Sequence, residues 1–170
     1  CLKVTKIKLN LCCGDDIRSG YINIDIRKTK PNVLVLDLEK DLLKPFPDNS
    51  ADEVVAKDCV EHISWRRVED LLRDIHRVLR CSGRLYVQVP DLEAIAKKVI
   101  LNPDFCYNEL CGWKAISFWV YGAQDYPENT HKAGFTILTL KKLMESIGFE
   151  VETIQNDGGT NIMCWCRKKC

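Results

Sequence analysis

Residues 53–89 read EVVAKDCVEHISWRRVEDLLRDIHRVLRCSGRLYVQV, and the fold class follows from them. The two ends, Glu53 to Ala56 and Arg84 to Val89, are short runs with the composition and alternation of strands. Between them Trp65, Val68, Leu71, Leu72, Ile75, Val78 and Leu79 recur at three- and four-residue steps, which lays one apolar stripe along a helix. Ser64 is placed to cap that helix and Ser82-Gly83 to stop it. Strand, helix and strand in succession make a crossover between parallel strands, so the class is α/β.

Upstream, Lys6 to Leu11 and Tyr21 to Ile26 alternate polar with apolar, and Val33 to Leu36 is a short apolar run, which adds three strands. Downstream, Asp91 can cap a helix that runs to Leu101 and ends at Asn102-Pro103. Thr139 can cap another from Leu140 to Ile147, ended by Gly148. Val151 to Gln155 and Asn161 to Arg167 are strands joined through Asp157-Gly158-Gly159 as a hairpin, adding an antiparallel strand to a mostly parallel sheet. The first half is lean. Nine residues, Cys12 to Gly20, join the first two strands and six, Arg27 to Asn32, the next pair, whereas a complete crossover needs about ten to twelve. The covering helices there are short or lost, and part of one sheet face lacks its usual cover. Either the aromatic-rich stretch farther along folds back over that face, or a second copy of the chain covers it as a homodimer.

The chain has 170 residues with 25 Lys+Arg against 24 Asp+Glu, a near-balance that excludes a polybasic nucleic-acid arm or an acidic tail. No repeat, low-complexity tract or Gly/Ser-rich linker divides it, so residues 1–170 are expected to form one domain. The longest apolar runs fall far short of the ~20 residues of a membrane helix, and no charged-then-apolar leader opens the sequence. The sequence starts at Cys1 rather than Met, as a trimmed chain does. Ten cysteines would suit a disulfide framework in a small secreted domain. Against that, Cys12 and Cys13 are adjacent, Cys164 and Cys166 are separated by one residue, and no C-x-x-C pair offers zinc spacing. A strand over Asn161 to Arg167 points Cys164 and Cys166 to one face and Trp165 to the other. The expectation is thiols buried as small hydrophobes, hence a reducing compartment and a soluble, cytoplasmic protein.

Ligands of open α/β sheets bind beyond the carboxyl ends of the strands. The first strand is followed by Leu11-Cys12-Cys13-Gly14-Asp15, whose small residues let backbone approach a ligand closely. The second ends in Asp25, placed to accept both hydroxyls of a ribose. The third ends in Asp37-Leu38, and the fourth is followed by Asp58 with Glu61-His62.

At these residues the sequence resembles the class I S-adenosylmethionine-dependent methyltransferases, and more closely their small type-11 group. The likeness is carried by Leu9-Asn10-Leu11-Cys12-Cys13-Gly14, Gly20-Tyr21-Ile22-Asn23-Ile24-Asp25, Leu36-Asp37-Leu38, Pro45-Phe46-Pro47-Asp48-Asn49-Ser50-Ala51-Asp52, Val60-Glu61-His62-Ile63, Arg77-Val78-Leu79 with Gly83, Val89-Pro90-Asp91-Leu92 and Gly148-Phe149. Each segment alone is weak; together they run in family order over nearly the whole chain. The resemblance implies a Rossmann-like, mostly parallel seven-stranded sheet with an antiparallel last strand. It also implies an S-adenosyl-L-methionine site. There Cys12, Cys13 and Gly14 form the glycine-loop wall, Asp25 holds the ribose, Asp37 and Leu38 lie by the adenine, and Asp58 faces the cofactor. The family usually has glycine where Cys12 stands. Methyl transfer from a sulfonium needs no metal, and positioning dominates its rate.

Phe105, Tyr107, Trp113, Phe118, Trp119, Tyr121, Tyr126 and Phe135 place eight of the fourteen aromatic residues within 31 positions, a density that marks 103–135 as an aromatic insertion. It reads either as a lid over the cofactor or as cover for the lean sheet. His76 lies beside the apolar stripe as a packing residue. His131, in Thr130-His131-Lys132-Ala133-Gly134-Phe135, is the candidate catalytic base, since an imidazole titrates near neutrality. The expected function is methyl transfer to a small-molecule or sugar-containing acceptor, with no nucleic-acid or membrane partner. A non-catalytic Rossmann-like module that binds the cofactor or a partner is the alternative from another class, and a thiol-based metal or redox protein a third.

Overall fold

The computed structural model describes residues 6–170, and Cys1 lies outside the described residues. In chain order the elements are β1 (Lys8–Leu11), β2 (Ile22–Asp25), β3 (Val33–Val35), β4 (Ala51–Lys57), a 3-10 turn (Val60–His62), α1 (Val68–Val78) and β5 (Leu79–Pro90). There follow α2 (Leu92–Leu101), β6 (Cys106–Tyr107), β7 (Leu110–Cys111), α3 (Trp113–Tyr121), α4 (Ile137–Ile147), β8 (Phe149–Asn156) and β9 (Asn161–Lys168). Seven strands form one sheet in the order β3-β2-β1-β4-β5-β9-β8. The strands from β3 to β5 are mutually parallel, and β9 runs antiparallel to both neighbours, as expected.

Register explains how a sheet with lost helices stays folded. The row Leu9–Val54–Leu85–Cys166 and the row Ile24–Leu11–Ala56–Val87–Cys164 cross the sheet on one face. They pack with Leu71, Leu72 and Ile75 of α1 and Leu140 and Met144 of α4 in a single core. The residues between them point the other way and form the row Asn23–Asn10–Val55–Tyr86–Trp165. On that face Asn10, Asn23 and Val55 are buried, and the turn at 12–20 covers the two asparagines, the Asp16 carbonyl accepting from Asn10 and the Arg18 amide donating to Asn23. The Asn10 amide donates to the Asn23 carbonyl oxygen at 2.9 Å, Tyr86 and Trp165 pack with centroids 4.7 Å apart, and Arg167 donates to Glu152 at 2.8 Å. The alternation in Lys6–Leu11 and Tyr21–Ile26 sends the apolar side chains Leu9, Leu11 and Ile24 to the covered face, where all three are buried. The aromatic stretch packs in part on itself. Trp113 is 72% exposed, while Tyr107 packs on Phe118 and Trp119 at centroid distances of 5.4 and 4.6 Å.

Three local expectations change. Ser64 does not cap α1; its carbonyl takes the Arg67 and Val68 amides in a preceding turn, which leaves Trp65 65% exposed outside the stripe. Ser82-Gly83 bends a long β5 rather than following a helix end, because the chain enters the strand directly at Leu79. Thr136, not Thr139, caps α4; the two threonines form a capping box in which each hydroxyl serves the other's backbone amide.

The cysteines overturn the expectation of free thiols. Cys12–Cys59, Cys81–Cys170 and Cys106–Cys111 are disulfides, and among the described residues Cys13, Cys164 and Cys166 are free. Pairs 47 and 89 residues apart in sequence meet only because β1 and β4 are neighbours and the C-terminus returns past β5. The thiol argument for a reducing, cytoplasmic setting falls with this pairing. Cys164 and Cys166 do share one face, buried with sulfurs 3.4 Å apart, with Trp165 on the other. No helix among the described residues is long and apolar enough to cross a membrane.

Candidate active site

The carboxyl ends of β1, β2 and β4 converge on an open cavity of about 200 Å³. Its floor is the turn after β1. Cys12 turns the chain at φ +49°, in the left-handed region that disfavours a side chain, and Gly14 follows at φ +48° with nothing within 4 Å of where a Cβ would stand. Glycine suits both positions, so Cys12 is the strained member; its disulfide to Cys59 ties the loop to the segment after β4.

Asp25, 8% exposed at the tip of β2, organises this loop. Its carboxylate accepts the Gly14 amide at 2.9 Å and the Arg27 amide at 2.9 Å. The Thr29 hydroxyl donates to the Gly14 carbonyl at 2.7 Å, so both peptide groups of Gly14 are pinned. Across the cavity Asp37 accepts the Glu39 and Lys40 amides and pairs with the Lys40 ammonium at 3.0 Å. Burial opposes its ionisation, but these donors outweigh burial and hold its carboxyl below the usual range. Leu36, Leu38, Ile26 and Ile63 supply apolar wall between the two carboxylates.

Cys12, Gly14, Asp25, Asp37, Leu38 and Asp58 thus meet in one cavity, as the strand-end rule expects. Cys13 does not line it. Its backbone amide donates to the Ile24 carbonyl at 2.9 Å, and it lines a neighbouring cleft with Asp15 and Asp16 that shares Cys12 and Asp58 with the first cavity. Burial and the nearby carboxylates push its thiol up to about 11. Tyr126, Asn129 and Lys132 were not singled out as cavity residues, yet they form the outer wall. The Arg27 guanidinium lies 3.4 Å from the Tyr126 ring centre, and Lys132 reaches Glu39 at 2.8 Å. The one signal for them was the aromatic density of 103–135, which cannot say which rings turn inward.

A second cavity, about 270 Å³, opens beside the first. Tyr107, Phe118 and Trp119 wall one side, and Asp58, Glu61, His62 and His131 the other. Asp58, His62 and Asn129 line both cavities, so the two adjoin. Asp58 takes the Gln88 amide at 3.0 Å, and burial raises its carboxyl pKa. His62 and His131 stand edge to face at a centroid distance of 5.1 Å. Burial lowers both imidazoles, His131 being further lowered by His62, so each ring is neutral at pH 7. Glu61 is 2% exposed, and desolvation raises its carboxyl to about 8. His76 is remote from both cavities, packed edge-on to Phe149 as expected of a packing residue.

The sheet order, the antiparallel last strand and a cavity over the β1 turn with an acid at the tip of β2 define the class I S-adenosylmethionine-dependent methyltransferase fold. Residues 8–87 match the type-11 family model described as a methyltransferase domain. No curated protein matches the chain by sequence. Among solved structures it is similar to an S-adenosylmethionine-dependent methyltransferase from Archaeoglobus fulgidus, at 19% identity and TM-score 0.63 over 98% of this chain and 87% of that one. A Mesorhizobium loti methyltransferase of the same dependence aligns at 15% identity and TM-score 0.64 over 96% and 90%. The 1,6-didemethyltoxoflavin-N1-methyltransferase of Burkholderia thailandensis, solved with bound 1,6-didemethyltoxoflavin and S-adenosylhomocysteine, aligns at 14% identity and TM-score 0.63 over 96% and 71%. At these identities the likeness is one of fold.

Proposed function

We propose that the chain transfers a methyl group from S-adenosylmethionine to a small-molecule or sugar-containing acceptor held in the aromatic cavity. The observation that carries this reading is the shared wall. A cavity built from the glycine turn, Asp25 and Asp37 adjoins one built from Tyr107, Phe118 and Trp119, with Asp58, His62 and Asn129 common to both. The residues fit the cofactor: Gly14 leaves backbone bare toward the cavity, Asp25 carries a carboxylate at a strand tip for a ribose, and Leu36, Leu38 and Ile63 offer apolar wall for a base.

When bound, S-adenosylmethionine supplies a methyl group on a cationic sulfur whose departure as a thioether needs no protonation. What is left to the protein is placement, which supplies several kcal/mol when the reacting atoms are held in line. Asp25 and Asp37 hold the two ends of the nucleoside, Tyr126 and Asn129 close over it, and Asp58 meets it from the β4 side. Tyr107, Phe118 and Trp119 grip a planar ring or the apolar face of a sugar by stacking. His131, neutral at pH 7, presents a nitrogen lone pair toward the acceptor's nucleophilic atom.

Calorimetric titration with S-adenosylmethionine and S-adenosylhomocysteine tests the reading, followed by methyl transfer from labelled cofactor to a panel of aromatic and glycosidic acceptors. Saturable binding with transfer to a member of the panel is expected. Absence of binding to either compound refutes the site; binding without any transfer favours the non-catalytic module.

A further inference from the structure

Glu61 is the most deeply buried acid beside the two cavities, and its side chain is incompletely partnered. It is 2% exposed, and its Oε2 has no hydrogen-bond partner among the described residues. A buried polar atom without a partner costs free energy and calls for a specific explanation, a bound ion among them. Two imidazoles lie beside it. One donor atom each from Glu61, His62 and His131 falls within 4.8 Å of the others.

The surroundings prepare the imidazoles to donate lone pairs. The His62 Nδ1 faces the Thr130 carbonyl at 3.2 Å, and an N–H given to that carbonyl leaves Nε2 unprotonated, the arrangement usual for a metal-binding histidine. The backbone of the cluster is clamped as well. The Glu61 carbonyl accepts the Lys132 amide at 2.7 Å and the Ala133 amide at 3.1 Å, which holds the chain at His131 against the 3-10 turn at Val60–His62. All three side chains line the aromatic cavity, so a fourth ligand position opens toward the acceptor.

We infer that Glu61, His62 and His131 form a binding site for a first-row divalent transition-metal ion, with its open position facing the acceptor cavity. Two imidazoles and one carboxyl group, which gives up its proton on binding, are a borderline donor set; they suit Zn²⁺ or Co²⁺ and match neither the all-oxygen shells of Ca²⁺ and Mg²⁺ nor a thiolate site. Three protein ligands plus an open position is also the layout of a site that acts on a bound molecule rather than one that only stabilises a fold. Donor atoms about 2.1 Å from a tetrahedral ion stand about 3.4 Å apart, so loading draws the present cluster inward by roughly 1 Å. Asp58, on the rim of the same cavity, adds negative potential that favours a cation. Under the methyl-transfer reading, on which this role rests, the ion would hold the acceptor's hydroxyl or amine as a Lewis acid and lower its pKa. His131 then serves as a ligand, not as a free base. The existence of the site does not depend on that role.

The test uses the full chain stripped with a chelator and then titrated with Co²⁺. Visible d–d absorption is expected to saturate at one ion per chain and to be displaced by Zn²⁺. Glu61→Gln, which keeps the shape of the buried side chain, and His131→Ala should each weaken Co²⁺ binding about tenfold or more. S-adenosylhomocysteine affinity in the same variants should stay within about twofold of wild type, since neither side chain lines the cofactor cavity. That titration also separates the two readings: a metal site without cofactor binding sinks the methyltransferase reading alone. Absence of stoichiometric Co²⁺ binding, wild-type binding in both variants, or a sulfur-to-cobalt charge-transfer band that reports Cys13, Cys164 or Cys166 as the ligand would each overturn the site.

Discussion

Breaking the Cys12–Cys59 bridge separates two opposing terms at the turn after β1. The bridge closes a sequence separation of 47 residues, and in the chain-entropy model a loop of that size restrains the unfolded chain by about 4 kcal/mol. Against this, Cys12 holds a left-handed backbone at φ +49°, a conformation that costs a side chain about 1–2 kcal/mol, part of which glycine returns as extra freedom in the unfolded chain. Cys12→Ala/Cys59→Ala should therefore lose about 4 kcal/mol, and Cys12→Gly/Cys59→Ala about 1 kcal/mol less than that. The loss of the Cys59 side chain is common to both variants and cancels from the comparison. The measurement is guanidinium unfolding of wild type and both variants without reductant, because a reductant would also open Cys81–Cys170 and Cys106–Cys111. S-adenosylhomocysteine calorimetry alongside reports whether the freed turn still binds. Unfolding midpoints equal to wild type in both variants would refute the stabilising bridge, and an alanine variant no less stable than the glycine one would refute the strain at Cys12.

Asp25→Ala should weaken S-adenosylmethionine binding by roughly ten- to a hundredfold, since a charge-assisted bond contributes about 1.5–3 kcal/mol and the carboxylate also pins the Gly14 amide; calorimetry at wild-type affinity would remove the ribose role. Trp113→Ala should change stability by no more than about 0.5 kcal/mol, because the ring is 72% exposed, whereas Phe149→Ala, at 0% exposure, should cost about 3–5 kcal/mol by thermal or denaturant unfolding. Trp119→Ala should raise KM for the acceptor at unchanged S-adenosylhomocysteine affinity, as expected of a ring that lines only the second cavity; a loss of cofactor affinity would place it elsewhere. Thr136→Ala removes the capping box of α4 and should cost about 1 kcal/mol in the same unfolding measurements.

Local pattern alone determined the strands of the sheet and most of the first cavity. Period-two alternation from Lys6 to Leu11 and from Tyr21 to Ile26 marks strands and already sorts side chains between the two faces of the sheet. The strand-end rule brings Gly14, Asp25, Asp37 and Asp58 together because parallel strands all present the same end, whatever their order. The stripe on α1 and the Asp157-Gly158-Gly159 turn are likewise short-range, written within a few residues of where they act. What crosses the sequence is different. The Cys12–Cys59 and Cys81–Cys170 bridges depend on which strands become neighbours, and spacing along the chain carries no trace of that. The placement of Tyr126 over Arg27, the turning of Tyr107, Phe118 and Trp119 into a second cavity and the meeting of His131 with Glu61 and His62 depend on how 103–135 returns over the strand ends. Aromatic rings bury well against almost any apolar surface, so only the tertiary packing decides which surface these rings take, and with it where a second molecule can lie beside the cofactor.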